Sequence, residues 1–222
     1  MVGVLLAAGG STRMGSSKPL RRKRGVSYLV LGVRHLWTAC TTVVAVLGAD
    51  AARVRRTAEE EFQRLLESGA LNPDLAVAHR HSAAGLELHF ETHRAWKKGM
   101  LSSAQAGLEW ALAHKPDGIL VLPVDHPAVH AATAMQLASL MAEAVKSSRS
   151  PAERKRFAYA LVPRYRGHRG HPVAMTPALA RAVAADKKAE HLSDAIKRNA
   201  RLVGYLDVDD PGVVRNVNRT TD

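Results

Sequence analysis

Short continuous apolar runs alternate along the chain with longer stretches in which apolar residues recur at helical spacing. Val2 to Ala7 is apolar apart from Gly3 and stops at a Gly/Ser-rich turn, the pattern of a buried strand. Val26 to Ala39 carries helical spacing. Thr42 to Leu47 is β-branched and continuous, as expected of a strand covered on both faces. Asp50 is placed to cap a long helix that Gly69 ends, and residues 70 to 85 read as an irregular insertion. Leu86 to Thr92 alternates like a strand, Ser102 to Ala113 reads as a helix, and Gly118 to Pro123 as another buried strand. A helix over Val129 to Val145 is followed by a polar linker from Lys146 to Arg156. Phe157 to Pro163 and His171 to Met175 are strand candidates around a Gly/Arg/His-rich loop. Short helices from Pro177 and Glu190 precede a last strand, Leu202 to Val208. Strands alternating with helices predict an α/β fold: a single Rossmann-like domain with a mostly parallel central sheet flanked by helices. In such sheets ligands sit at the carboxyl ends of the strands.

Composition narrows this picture without changing it. The chain has 222 residues, is 46% hydrophobic and only 5% aromatic, which suits an Ala/Val/Leu-rich α/β core better than a β-sandwich. The single cysteine, Cys40, excludes an internal disulfide framework and reads as a buried apolar thiol. No stretch approaches the roughly 20 apolar residues of a membrane span. With no signal peptide visible in front of Val2 to Ala8, a cytoplasmic protein is expected. The formal net charge is +12. Six basic residues and no acid lie between Arg13 and Arg24, and eight basic residues against Glu153 alone between Lys146 and Arg169. A field of this sign attracts nucleotides, phosphorylated small molecules or nucleic acid. Ten aromatic residues scattered along the chain give little support to the last of these, because single-strand binders interleave stacking rings with their cations.

The chemistry-bearing segment is the turn after the first strand, Ala7-Ala8-Gly9-Gly10-Ser11-Thr12-Arg13-Met14-Gly15-Ser16-Ser17-Lys18. Its glycines let backbone N–H groups approach a phosphate, and Arg13 and Lys18 add a guanidinium fork and a point charge. It is not a Walker A loop, because Ser16 rather than lysine follows Gly15, and it lacks a GxGxxG spacing. On residues alone, a Gly-rich basic turn between a strand and a helix remains open beside the phosphate grip.

LAAGGSTRMGSSK closely resembles the LAAGxSxRMGxxK signature of the molybdenum-cofactor nucleotidyltransferases, relatives of the sugar-phosphate and methylerythritol-phosphate nucleotidyltransferases. Further matches follow in family order: Trp96 to Ser103 with Gly107-Leu108 resembles a Wxx-GMxSSxxxGL segment of the cytidylyltransferase branch. Val121 to Pro127 resembles a strand-ending LxGDMP motif. Tyr165 to Pro172 resembles an RG-HP loop, and Val208 to Thr220 a closing acidic segment. The resemblance spans residues 2 to 222. It implies one nucleotide-diphospho-sugar-transferase-like domain, with the nucleotide part over about residues 1–130 and the acceptor part over about 131–222.

The resemblance also implies roles. Arg13, Lys18 and Asp125 would be catalytic. Ala7, Ala8, Gly9, Gly10, Ser11, Arg13, Met14, Gly15 and Lys18 would bind the nucleotide, together with Ser102 and Ser103. Asp125 and Asn216 would hold Mg²⁺, or Mn²⁺ in its place. Gly167, Arg169, Gly170, His171 and Pro172 would face the acceptor. The donor would be CTP and the acceptor a molybdopterin-type cofactor, so the partners would be small anionic molecules and a molybdenum enzyme that receives the product. Asn216 stands where an aspartate is common, keeping a carbonyl ligand but losing a charge; Asn218, two residues on, is an alternative ligand. A sugar phosphate or other small phosphorylated acceptor, and a catalytically degenerate nucleotide- or nucleic-acid-binding protein, stay open. His79, His81, His89 and His93 read as surface or loop residues, since His89 and His93 fall on a predicted strand where a four-residue spacing does not suit zinc. The basic run Arg21 to Arg24 reads as a solvated turn or as a steering patch for anions.

Overall fold

A computed structural model describes residues 1–10, 17–70, 85–147 and 150–217. Arg13, Ser11, Met14 and Gly15 of the expected nucleotide loop, Asn218, His79, His81 and nearly all of the expected insertion lie outside the described residues.

Eight strands form one sheet. β1 (Val2–Ala7) lies at its centre, paired in parallel with β4 (Thr42–Leu47) on one side and β6 (Ile119–Pro123) on the other. β5 (Glu87–Thr92) extends the parallel run beyond β4. Past β6 the direction changes: β9 (Val173–Met175) is antiparallel both to β6 and to β7 (Tyr159–Tyr165), and β10 (Leu202–Asp207) closes that edge parallel to β7. β8 (His168–Arg169) folds back on β7. The sheet is thus mostly parallel, with the antiparallel strands confined to the half that carries the second expected substrate loop.

The apolar strands feed two cores. Leu5, Ala7, Val43, Ala45, Leu47, Leu120 and Leu122 face one layer, built with α1 (Tyr28–Trp37), α2 (Ala51–Glu67) and α4 (Ala131–Lys146). Val2, Val4, Leu6, Val44, Val46, Ile119 and Val121 face the other, built with α3 (Met100–Ala113), α6 (Pro177–Ala185) and α7 (Leu192–Asn199). Alternate side chains leave a strand on opposite faces. A run buried on both faces must therefore be free of charged side chains at every position, as these are. Each such leucine stabilises the fold by about 1.5–3 kcal/mol. Cys40 is buried, and burial pushes its thiol up to about 12.

Three local expectations are corrected. The first helix begins at Tyr28, because Ser27 caps it (Val30 N–H to Ser27 Oγ, 3.3 Å), and its amide donates to the buried Glu61 carboxylate at 2.9 Å. The preceding residues form a hairpin, β2 (Arg22–Lys23) against β3 (Val26–Ser27), so the basic run occupies an exposed strand and turn, in keeping with the solvated-turn reading, with Arg22 3.5 Å from Glu61. Asp50 occupies the N-cap position of α2, but its side chain does not cap: the residue is left-handed, at φ 55°, and its carboxylate accepts instead from Arg53. The polar stretch from Lys146 to Arg156 is not all linker, since Pro151–Arg156 forms helix α5, entered through a Ser150 hydroxyl that accepts from the Glu153 amide.

Candidate active site

The end of β1 leads into Ala8, Gly9 and Gly10. Ala8 is buried and its carbonyl accepts from Ala49 N–H at 3.3 Å, which ties the start of the loop to the end of β4. Trp96 packs beneath it. A Cβ on Gly10 would fall 2.8 Å from the Trp96 ring, so only glycine lets the chain pass this close. The tryptophan that opens the GMxSS segment therefore shapes the expected nucleotide loop. Its own segment continues through Gly99 into α3. Ser103 is buried and its hydroxyl donates to Gly99 O at 3.5 Å. Ser102 keeps some exposed surface, donates to the same carbonyl at 2.9 Å and lies 3.1 Å from His93 Nε2.

Asp125 stands just past β6, where Val124 N–H still bonds to Leu6 O at 3.0 Å. Lys18, 107 residues earlier, reaches it: Nζ lies 3.2 Å from Oδ2, with both side chains mostly shielded from solvent. The fold thus brings two of the expected catalytic residues into one ion pair. The Val217 amide donates to the Asp125 carbonyl at 2.8 Å, which sets Asn216, exposed and one residue before it, alongside Asp125 in the chain path.

Backbone bonds join the remaining segments. His126 is buried; its Nδ1 lies 3.4 Å from Gly212 O, which can only accept, so that nitrogen carries the proton. His126 Nε2 is 4.0 Å from Asp125 Oδ1, and its ring meets His171 edge-on at 5.0 Å. The His171 amide donates to Val213 O, and the Gly170 amide to Pro163 O, both at 2.9 Å. A Cβ on Gly170 would run into Val213 O, so the acceptor-side loop closes on the chain's last segment only through glycine. Burial lowers His126 and takes His171 down to about 4, so both rings are neutral at pH 7.

The residue holding this junction together was not singled out from sequence. Asp210 is buried and accepts from the His130 amide (2.8 Å), the Thr133 hydroxyl (2.7 Å) and the Gly212 amide (2.9 Å). It pins the final turn, Pro211–Val213, to the start of α4. Its signal was an acidic pair directly before Pro-Gly, a motif that serves equally for turn formation.

Of the expected acceptor residues, Gly170, His171 and Pro172 lie at this junction. Gly167 and Arg169 lie farther out, in the exposed turn between β7 and β8 and on β8. Arg169, Gly170 and His171 border a cavity of about 480 Å³ that opens toward α7 and β10. Among the described residues, no three His, Cys, Asp or Glu side chains gather as a metal cage. No helix there is long and apolar enough to cross a membrane.

Comparison with known proteins agrees with this geometry. The MobA-like NTP transferase domain matches residues 3–202. No curated protein matches at the sequence level. Among solved structures, Rv0371c from Mycobacterium tuberculosis H37Rv is similar over 100% of this chain and 94% of its own, at 20% identity and TM-score 0.65. Its complex with manganese is similar over 93% and 87%, at 20% identity and TM-score 0.57. The 4-diphosphocytidyl-2C-methyl-D-erythritol synthase of Anaerococcus prevotii covers 100% and 91%, at 11% identity and TM-score 0.62. Molybdopterin-guanine dinucleotide biosynthesis protein A of Archaeoglobus fulgidus covers 100% and 94%, at 17% identity and TM-score 0.55. At these identities the structures establish a shared fold, and the domain match over most of the chain establishes the family: the protein is a nucleotidyltransferase belonging to the MobA-like NTP transferase family.

Proposed function

We propose that the protein transfers CMP from CTP to the phosphate of a molybdopterin-type cofactor and releases pyrophosphate. An oxygen of the acceptor phosphate attacks the α-phosphorus, the bond from that phosphorus to the oxygen bridging to the β-phosphorus breaks, and pyrophosphate leaves with the electron pair. Positioning and charge neutralisation carry such a reaction. The observation that carries this reading is the Lys18–Asp125 pair, set at the carboxyl end of the two central parallel strands.

Each residue has a part. Ala7 to Gly10, pressed against Trp96, would present backbone amides to the phosphates, with Ser11, Arg13, Met14 and Gly15 continuing the loop. Lys18 holds the Asp125 carboxylate in charge balance; with a triphosphate bound, its ammonium would serve the phosphate oxygens and free the carboxylate. Asp125 and Asn216 together offer a carboxylate and an amide carbonyl, oxygen donors suited to Mg²⁺ or Mn²⁺. That ion would supply neutralising charge to the phosphates. Of the serines, Ser102 has the open surface to meet ribose or base. Gly167, Arg169, Gly170, His171 and Pro172 would receive the acceptor. Residues from about 1 to 130 would thus serve the donor and those from about 131 to 222 the acceptor.

CTP is favoured by the Trp96 to Ser103 segment, and a divalent ion by the manganese complex of Rv0371c. The partners would be small anionic substrates and a molybdenum enzyme, in the cytoplasm, with nucleic acid not expected among them. The deciding experiment is pyrophosphate release with each of the four nucleoside triphosphates against a panel of phosphorylated acceptors. Release with CTP and a molybdopterin-type acceptor is expected. Release with another nucleotide alone would overturn the cytidylyl assignment, and no release with any pair would overturn transferase activity.

A further inference from the structure

We infer that the cavity beside the Gly170–His171 loop selects an acceptor phosphate monoester that can lay an apolar surface on its floor, the face of a flat ring system or a branched hydrocarbon, and discriminates against polyhydroxylated sugar and alditol phosphates. The inference rests on the nucleotidyl-transfer reading of this site and narrows the class of its second substrate.

The lining divides by chemistry. Leu101, Val162, Val173, Leu192, Ile196 and Val203 form the floor, and five of these six are buried. They come from five elements, α3, β7, β9, α7 and β10, so the floor is a product of the fold and not of one amphipathic segment. None carries a hydrogen-bonding side chain, and a sugar hydroxyl placed against them would lose its bonds to water without replacement, at a cost that disfavours binding. An apolar body would gain from the same surface. The volume of about 480 Å³ falls within the range of small-molecule sites.

The mouth has the opposite character. Arg169 and Lys197 both border the cavity and are exposed, and among the described residues no aspartate or glutamate lines it. Cations at the rim of an apolar hollow, with no acid to balance them there, match an anionic group on an apolar body. Tyr205, 42% exposed, stands at the same rim with the Arg164 guanidinium over its ring at 4.8 Å, where it offers an aromatic face.

The cavity also joins the reacting centre. His171 forms part of its wall, while the same ring meets His126, the neighbour of Asp125. A monoester with its body on the floor therefore has its phosphate end toward the Asp125 side, along the Arg169–Gly170–His171 edge.

The test compares two monoester dianions of different body, 1-naphthyl phosphate and sorbitol 6-phosphate, binding to the full chain by isothermal titration calorimetry. The naphthyl ester is expected to bind about tenfold or more tightly than the sorbitol ester, with a negative heat-capacity change. Lys197→Glu, on an exposed position, should weaken both esters about tenfold. Ile196→Asn should weaken the naphthyl ester alone; if that variant does not fold, Val203→Thr, which keeps the side-chain shape, takes its place. Equal affinity for the two esters, or naphthyl affinity that neither variant changes, overturns the inference. Because calorimetry needs no turnover, the two readings fail separately. Naphthyl binding with these sensitivities but no pyrophosphate release with any acceptor removes the transferase assignment and leaves the cavity's selectivity. Efficient transfer to sorbitol 6-phosphate without naphthyl binding does the reverse.

Discussion

At the proposed donor end of the site, β1 and β6 run parallel, a lysine and an aspartate neutralise each other, and a tryptophan ring presses on the loop that follows β1. At the proposed acceptor end, the sheet turns antiparallel, the surface is apolar below and cationic at the rim, and the loop is held by backbone bonds to the last described turn. The proposed donor end would handle charge that every nucleoside triphosphate carries, and the loop after β1 that serves it is one continuous stretch, readable as a motif, although Asp125 joins it from 107 residues away. The acceptor end is assembled from α3, β7, β8, β9, α7 and β10, which meet only once the sheet has formed. One end can be shared across a family while the other is remade for each substrate.

This contrast can be broken at either end. The largest effect is expected from Asp125→Ala, which should lower pyrophosphate release about a thousandfold at saturating nucleotide and metal. Unchanged release would remove Asp125 from the chemistry. Next, Asp210→Ala should cost about 2–4 kcal/mol of stability, measured by urea unfolding, because it strands three donors, two of them buried. A loss within error of zero would show that the last turn holds without it. Lys18→Gln should raise the KM for the nucleotide about tenfold to a hundredfold and leave the acceptor KM unchanged, as loss of one charge-assisted bond predicts. Equal increases in both constants would show that the two ends are not separable.

The smallest effect concerns acid. His35, half-buried on α1, is lowered to about 4 by burial first and then by Arg34 and Lys23. A base whose folded value lies below its unfolded 6.5 leaves the native state short of a proton once pH drops under 6.5. Its stabilising effect is therefore complete above pH 6.5 and is lost as pH falls toward 4, by at most about 1.4 kcal/mol per pH unit. His35→Gln should flatten the fall in unfolding free energy across that window. An unaltered slope would assign the acid sensitivity elsewhere, with His171, also lowered to about 4, the first place to look.

Strands were the most legible elements, because burial on both faces excludes charged side chains at every position and leaves a continuous run. Helix starts were less so. Val26 looked helical, but Ser27 had both a cap to make and a glutamate, 34 residues away, to bond. Asp50 had a good capping side chain and a left-handed backbone that turned it aside. In the site, Gly10 was legible as glycine, but its neighbour Trp96 was not. Asp210 was hidden because its three donors lie on α4 and in its own turn, and nothing in the local spacing distinguishes it from Asp209.

The sequence by itself determined the alternation of strand and helix, the phosphate-loop signature and the order of the motifs, since each is local or periodic. Tertiary structure alone decided that Lys18 meets Asp125, that the loop at His171 closes on Val213, and that six apolar side chains from five elements make one cavity floor. The physical reason is the same in each case. Hydrophobic periodicity reports which face a residue turns to the core, but which residue it meets there depends on strand order and crossing direction, which are fixed only when the whole sheet packs.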